Sequence, residues 1–203
     1  MQYVLILLFG YLIGSFPTAF LLVKKTAKYD IRSAGSGNVG AMNTYDVTRS
    51  KFLGIAVMAI DVAKGISAVL FSSLLFSNDF WMTGISGIGA VLGHNYSPWI
   101  RFKGGRGLAT GAGVMFALAW IVVVLWCTAW GINYSYSKNI HISNVVACIA
   151  TPLILWLTPE KILYTILPSS IDMTILRIVL TIILSLILIR HIEPFMTLFK
   201  SPQ

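Results

Sequence analysis

Two stretches of this sequence gather donors, cations and glycines in a way that suits anionic oxygen. The first is Arg32-Ser33-Ala34-Gly35-Ser36-Gly37-Asn38-Val39-Gly40-Ala41-Met42-Asn43. Gly35, Gly37 and Gly40 let consecutive backbone N–H groups converge on one oxygen cluster, and Ser36, Asn38 and Asn43 add side-chain donors. The glycines also satisfy G-x-G-x-x-G by spacing. A dinucleotide fingerprint must follow a strand and open a helix in a βαβ unit, whereas here an apolar span comes first. The second stretch is Gly93-His94-Asn95-Tyr96-Ser97-Pro98, then Phe102-Lys103-Gly104-Gly105-Arg106-Gly107-Leu108-Ala109-Thr110. It lacks the G-x-x-x-x-G-K-[ST] order of a P-loop but has similar components: two cations, three glycines and a threonine where an apolar run begins. A helix starting near Leu108 would aim its N-terminal N–H groups and positive dipole end at the same boundary.

Other polar residues stand alone or in pairs. Asp61 and Lys64 lie three apart in an apolar run and can share a helix face, either as an internal ion pair or as a substrate contact. Arg190-His191-Ile192-Glu193 ends the last apolar run, and His141 opens an earlier one as a cap or interface residue. Gly89/Gly93 and Gly107/Gly111 have the spacing of close helix packing. Cys127 and Cys148 read as packing residues; without a C-x-x-C or a Cys/His cluster, no metal site is expected.

The elements that carry these residues follow from composition. Of 203 residues, 57% are hydrophobic and 11% charged, against about 25% charged in an ordinary soluble domain. Mean hydropathy is +0.81. A soluble enzyme, a secreted mini-protein and a disordered chain are excluded. A membrane-crossing helix needs about 20 apolar residues, and runs of that kind occupy 1–23, 52–76, 79–101, 108–132 and 142–157. The interval 162–189 is broken by Pro168-Ser169-Ser170 and Asp172, and reads as a short sixth span and a seventh at 173–190. The first run does not read as a cleaved signal peptide, because its positive charges follow it. The expectation is an all-α polytopic helical bundle of about seven transmembrane helices, forming a single domain over 1–203.

The net charge of +8 is a matter of sidedness here, not of nucleic acid. Lys24, Lys25, Lys28, Arg32, Arg49, Lys51, Arg101, Lys103, Arg106, Lys161, Arg190 and Lys200 all fall on one side of this topology. Lys138 falls on the other, and Lys64 and Arg177 lie within spans. The positive-inside rule then places the N-terminus outside and the C-terminus in the cytoplasm. Both glycine stretches and the Arg190–Glu193 segment would face the cytoplasm. Few carboxylates and no Ser-His-Asp set accompany them, which suits the handling of phosphorylated, membrane-proximal small molecules.

The strings GSGNVGAMN (35–43), GHNYSP with FKGGRGLAT (93–98, 102–110) and RHIE (190–193), with the Asp-x-x-Lys-Gly of 61–65, resemble the PlsY family over nearly the whole chain. These are the bacterial acyl-phosphate-dependent glycerol-3-phosphate acyltransferases. The resemblance implies about seven transmembrane helices in the bacterial inner membrane and an active site facing the cytoplasm. It also implies acyl transfer from acyl phosphate to the 1-hydroxyl of glycerol 3-phosphate, giving lysophosphatidate and phosphate with neither cofactor nor metal. A mixed anhydride is already activated, so direct attack by the glycerol hydroxyl needs alignment and charge stabilisation, not a strong protein nucleophile. On that basis the candidate catalytic residues are Ser36, Asn38, Lys103 and His191. The candidate substrate-binding residues are Gly35, Gly37, Gly40, Asn43, Arg49, His94, Gly104, Gly105, Arg106, Thr110 and Glu193. The protein is expected to meet membrane lipids and its two substrates, as a monomer or weak oligomer.

Departures from the family pattern are specific. Asp46 stands where members usually carry Arg, with Arg49 as the nearest replacement. Arg106 replaces a frequent Lys, His141 lies where many have Ser, and Pro194 and Thr197 replace an Asn and an Arg. Two other readings remain at this level: a divergent, non-catalytic binder of lipid or phosphate, and a small anion transporter. A transporter would need polar residues through the bundle centre, where only Asp61, Lys64 and Arg177 lie.

Overall fold

Side-chain caps and prolines cut the apolar runs into helices. The computed structural model describes residues 1–76, 79–168 and 170–197, and Lys200 and Ser169 of the sequence reading lie outside them. In order, the α-helices are α1 (Gln2–Gly14), α2 (Thr18–Ala27), α3 (Ala41–Thr48), α4 (Lys51–Leu75) and α5 (Phe80–Asn95). Then come α6 (Leu108–Ser137), α7 (Ile140–Leu157), α8 (Glu160–Leu163) and α9 (Met173–Thr197). Ser50 opens α4 by accepting the Leu53 N–H at 3.3 Å. Asp79 opens α5 and Asn139 opens α7 in the same way, and the Asp172 carboxylate accepts the Ile175 N–H at the start of α9. Such caps satisfy N–H groups that a helix start leaves without intrahelical partners.

Among the described residues, five segments are long and apolar enough to cross a membrane: Gln2–Ala27, Lys51–Leu75, Leu108–Ser137, Ile140–Leu157 and Met173–Thr197. The third expected span becomes α5, whose 16 residues give about 24 Å of helix. The short sixth span is not formed. Between Pro159 and Pro168 the chain makes the four-residue α8 and then turns, because each proline lacks an N–H and disfavours helix at the residue before it. The first apolar run remains one candidate span, Gln2–Ala27, but it is not one continuous helix. Pro17 separates α1 from α2, and the carbonyls of Ser15 and Phe16 become available to other elements.

The chain divides into two compact units, Met1–Val114 and Met115–Gln203. In the first, small residues set the packing. A Cβ on Gly10 or Gly14 would run into the backbone of Ser86 or Ala90, and one on Gly89 or Gly93 would strike the carbonyls of Leu7 or Tyr11. The backbones of α1 and α5 therefore touch directly, the close approach that small residues allow in membranes. On α4 the buried residues Gly54, Val57, Asp61, Lys64, Gly65, Ala68 and Ser72 recur every three to four positions, a single inward stripe. Gly65 on that stripe faces the Thr110 carbonyl and the Val114 N–H, and Gly113 faces the Val62 carbonyl, which docks the start of α6 on α4.

In the second unit, α6 loses helical geometry at Ala119 (φ −162°, ψ 89°). Trp130 Nε1 donates to Asn144 Oδ1 at 2.8 Å. Arg177 of α9 closes the end of α7: Nε donates to the Leu155 carbonyl (3.0 Å) and Nη2 to that of Thr158 (2.7 Å). Nη1 lies 3.2 Å from Glu160 Oε1. A charge inside an apolar run is thus matched to the negative end of a helix dipole.

Candidate active site

The first glycine stretch is folded around one side chain. Asn43, in the first turn of α3, is 1% exposed. Its Oδ1 accepts the Ser36 backbone N–H at 2.9 Å. Its Nδ2 donates to the carbonyls of Asn38 (2.9 Å), Ala34 (3.1 Å) and Ile31 (3.3 Å). An amide has two N–H groups, so three acceptors leave none for a ligand. Asn43 thus holds the loop together from within. Gly35 takes φ +57° and Gly37 φ +69°, a left-handed backbone natural to glycine. A Cβ on Gly35 would also lie 2.2 Å from Asn43 Oδ1. The result is a loop that leaves Ser36 exposed and Asn38 half-buried, with Gly40 as the extended residue from which α3 starts.

A salt bridge anchors the entry to this loop. The Arg32 guanidinium grips the Asp30 carboxylate, with Nη2 to Oδ2 at 2.6 Å and Nε to Oδ1 at 3.0 Å. Nη1 donates to the Ile100 carbonyl at 3.0 Å, and the guanidinium carbon lies 4.9 Å from the Phe20 ring centre. The hydrogen bonds from Arg32 hold the Asp30 carboxyl below the usual carboxylate range. In the sequence Arg32 opens the first stretch and counts toward sidedness, with no sign of its partner Asp30. Its fork also ties the first loop to the turn that leads into Lys103.

The second stretch folds against the end of α5. Gly104 N–H donates to the Asn95 carbonyl (3.2 Å), Gly105 N–H to that of His94 (3.0 Å) and Phe102 N–H to that of Ser97 (2.8 Å). Ser97 Oγ donates to the Ser15 carbonyl at 2.6 Å, and Trp99 Nε1 to Ser15 Oγ at 2.8 Å. The break between α1 and α2 thus seats this loop. Lys103 is exposed, Arg106 half-buried, and Gly104 and Gly105 buried. Thr110 is fully buried at the α4 contact.

The two loops meet at Gly105, where an added Cβ would lie 2.1 Å from His94 Nε2 and 2.7 Å from the Val39 carbonyl. Behind this contact lies a narrow cavity of about 10 Å³, about the room one water occupies. Ser15, Thr18, Asp61, Lys64, His94 and Ser97 line it with Gly104 and Gly105. The Asp61–Lys64 pair forms as the spacing suggests, Nζ to Oδ1 at 2.9 Å, and Lys64 also donates to the Phe16 carbonyl at 3.0 Å. Ser97 belongs to the second stretch, whereas Thr18 carried no sequence signal for this site. The one hint was Pro17, which breaks the helix beside it.

The remaining candidates are placed as follows. Arg49 takes φ +55° at the C-terminal cap of α3, about 13 Å along the helix from Gly40, and Asp46 is exposed one turn before it. His191 and Glu193 belong to the second unit. His191 is 1% exposed, with Nδ1 2.8 Å from the Ile187 carbonyl, and Glu193 is exposed. Among the described residues no group of three or more His, Cys, Asp or Glu side chains could hold a metal ion.

Comparison with known proteins adds to this geometry. Residues 4–201 match the family described as glycerol-3-phosphate acyltransferase. A glycerol-3-phosphate acyltransferase of Anaplasma phagocytophilum (strain HZ) is 39% identical over 172 residues, covering 81% of this chain and 87% of that protein. One from Prochlorococcus marinus (strain NATL1A) is 34% identical over 199 residues, covering 98% and 96%. Two crystal structures of PlsY, an integral membrane glycerol 3-phosphate acyltransferase, share the fold. The glycerol 3-phosphate form has a TM-score of 0.79 and 28% identity, covering 98% of this chain and 92% of that one. The lysophosphatidic acid form has a TM-score of 0.77 and 27% identity, with the same coverage. Matched by the family over residues 4–201 and by relatives of 34–39% identity, this chain belongs to the glycerol-3-phosphate acyltransferase family.

Proposed function

We propose that this membrane-embedded acyltransferase moves a fatty acyl group from acyl phosphate to the 1-hydroxyl of glycerol 3-phosphate. The observation that carries the reading is the junction of two glycine loops at Val39 and Gly105, one presenting Ser36 and Asn38 and the other Lys103 and Arg106. Two phosphorylated substrates need two such cradles side by side. Lys103 and Arg106 neutralise phosphate charge, and Ser36 and Asn38 orient substrate or donate to the oxyanion as it develops. The hydroxyl oxygen attacks the acyl carbonyl carbon and forms the ester bond. The bond from that carbon to the phosphate oxygen breaks, a phosphate oxygen takes the hydroxyl proton, and inorganic phosphate leaves with lysophosphatidate as the other product. No metal or cofactor takes part in this scheme.

The glycine loops are proposed to face the cytoplasm, with the acyl chain lying among the apolar helices and the enzyme in the bacterial inner membrane. Single cysteines at Ser33 and Lys138, in a chain with Cys127 and Cys148 replaced, test this sidedness. Only Ser33→Cys should resist a membrane-impermeant maleimide in intact cells. The reaction is tested with purified protein, acyl phosphate and glycerol 3-phosphate, measuring lysophosphatidate and phosphate. Ser36→Ala and Lys103→Ala should each lose most activity. Acyl-CoA and acyl carrier protein donors in parallel define the donor. A covalent acyl group on Ser36 during turnover would contradict direct attack, and a folded wild type inactive with every donor would overturn acyl transfer.

A further inference from the structure

The acyl-transfer scheme gives Asp61 and Lys64 no step, yet three parts of the first unit converge on them. Asp61 is 2% and Lys64 7% exposed. Lys64 Nζ binds the Phe16 carbonyl at the α1–α2 break and lies 2.9 Å from Asp61 Oδ1. The same carboxylate oxygen faces His94 Nδ1 at 3.8 Å, too long for a direct hydrogen bond but near enough for its charge to orient the ring. The opposite edge of that ring, Nε2, occupies the space beside Gly105 where the Val39 carbonyl also packs. The imidazole is thus a spacer between a buried charge and the place where the two loops meet. Packing alone would be served as well by apolar side chains of similar volume, since a buried ion pair adds little net stability.

On the reading of this chain as an acyltransferase, we propose that Asp61 is a positioning residue: with Lys64 as counter-charge, it aims the His94 ring at the Val39–Gly105 contact and so sets the spacing of the two loops. Each loop keeps its own internal bonds without the pair. The first is tied by Asn43, and the second by the bonds of Gly104 and Gly105 to the end of α5. Binding of either substrate alone therefore survives loss of the brace, while alignment of hydroxyl with carbonyl does not. A misplacement near 1 Å costs on the order of 100-fold in rate.

The test uses the full chain in nanodiscs, comparing wild type with Asp61→Asn/Lys64→Met, which removes both charges and keeps volume, and with His94→Gln. Thermal midpoint, kcat and both KM values are measured. Spin labels at Ser36→Cys and Lys103→Cys, in a background without Cys127 and Cys148, report the loop spacing. The double variant should fold, lose about 10- to 100-fold in kcat, hold both KM values within about threefold, and broaden the label distance distribution. His94→Gln should do the same, and adding it to the double variant should cost little more, as expected for residues acting as one unit. Wild-type kcat in the folded double variant would reduce the pair to internal charge compensation. A tenfold rise in KM for glycerol 3-phosphate at unchanged kcat would make Lys64 a substrate ligand and overturn the brace. If the double variant does not fold, His94→Gln decides on the same measures. If the wild type transfers no acyl group, acyl transfer fails separately and the label distances judge the brace, an unchanged distribution overturning it.

Discussion

The Asn43 side-chain oxygen accepts the Ser36 backbone N–H at 2.9 Å, so a buried amide at the start of α3 fixes the loop residue that stands exposed. The same amide bonds three carbonyls of the loop. Asn43→Ala strands these groups, and leaving a buried polar group unmade costs about 1–3 kcal/mol. Partial solvent access to the loop limits the total to about 2–4 kcal/mol. Thermal unfolding in detergent should show a lower midpoint, and activity should fall at least tenfold. Gly35→Ala should mimic this, because it combines φ +57° with a Cβ 2.2 Å from Asn43 Oδ1. Gly131→Ala, with nothing within 4 Å of its Cβ, is the control and should be neutral. An Asn43→Ala protein with wild-type midpoint and activity would refute the positioning role.

The Asp30–Arg32 clasp makes a pH prediction. Arg32 depresses the Asp30 carboxyl from its ordinary 3.8. A carboxylate with a lowered folded-state pKa contributes its stability above the unfolded value and loses it as pH falls through the folded one. Stability should therefore be flat in this respect from pH 5 to 8, and the clasp should weaken only below about pH 4. Both side chains are partly exposed, 25% for Arg32 and 38% for Asp30, so Asp30→Asn should cost less than about 1 kcal/mol. Arg32→Lys loses more, because an ammonium cannot grip the carboxylate and reach the Ile100 carbonyl together. Activity should fall several-fold in Arg32→Lys, and unfolding midpoints scanned against pH separate the two variants.

The glycine loops and the buried pair were legible because their residue types are unusual for an apolar chain and their spacing is local. Asp61 and Lys64 needed only three-residue helical spacing to be paired. That Ile31, Ala34 and Asn38 turn their carbonyls toward Asn43 is not legible locally; it follows from the glycine-dependent loop path. The place of His94 between Asp61 and Gly105 joins residues 33 and 11 positions away, beyond any periodicity. The break at Pro17 was available as a signal, but the uncharged run 1–23 overrode it. The short sixth span failed for the same reason in reverse, since hydropathy was counted where Pro159 and Pro168 forbid a long helix.

In the second unit, Arg177 should matter far more than its partner Glu160. Arg177 is 8% exposed and donates to the Leu155 and Thr158 carbonyls at the end of α7. Arg177→Met removes both donors and should destabilise the protein by about 2–3 kcal/mol. Glu160 has a side chain 47% exposed, and Glu160→Gln should change stability by less than about 1 kcal/mol. Equal effects in thermal unfolding would show that the ion pair, not the helix cap, is what Arg177 supplies.

Asp46 is the departure most open to direct test. It is exposed on α3, three positions after Asn43, where the resemblance to the PlsY family leads to the expectation of an Arg. Arg49 stands at the far end of α3 in a left-handed cap, so the backbone does not bring it to the N-terminal end where the loop lies. Asp46→Arg changes the local charge by two beside a site proposed to take anions. KM for glycerol 3-phosphate should fall about three- to tenfold at low ionic strength, and the gain should shrink in high salt, where exposed charges are screened beyond about 3 Å. Arg49→Ala should leave KM within about twofold, since a solvated charge away from the loop contributes little. The reverse pattern, with Arg49→Ala raising KM and Asp46→Arg changing nothing, would place the anion-binding charge at Arg49 and show that the chain has moved its arginine along the helix.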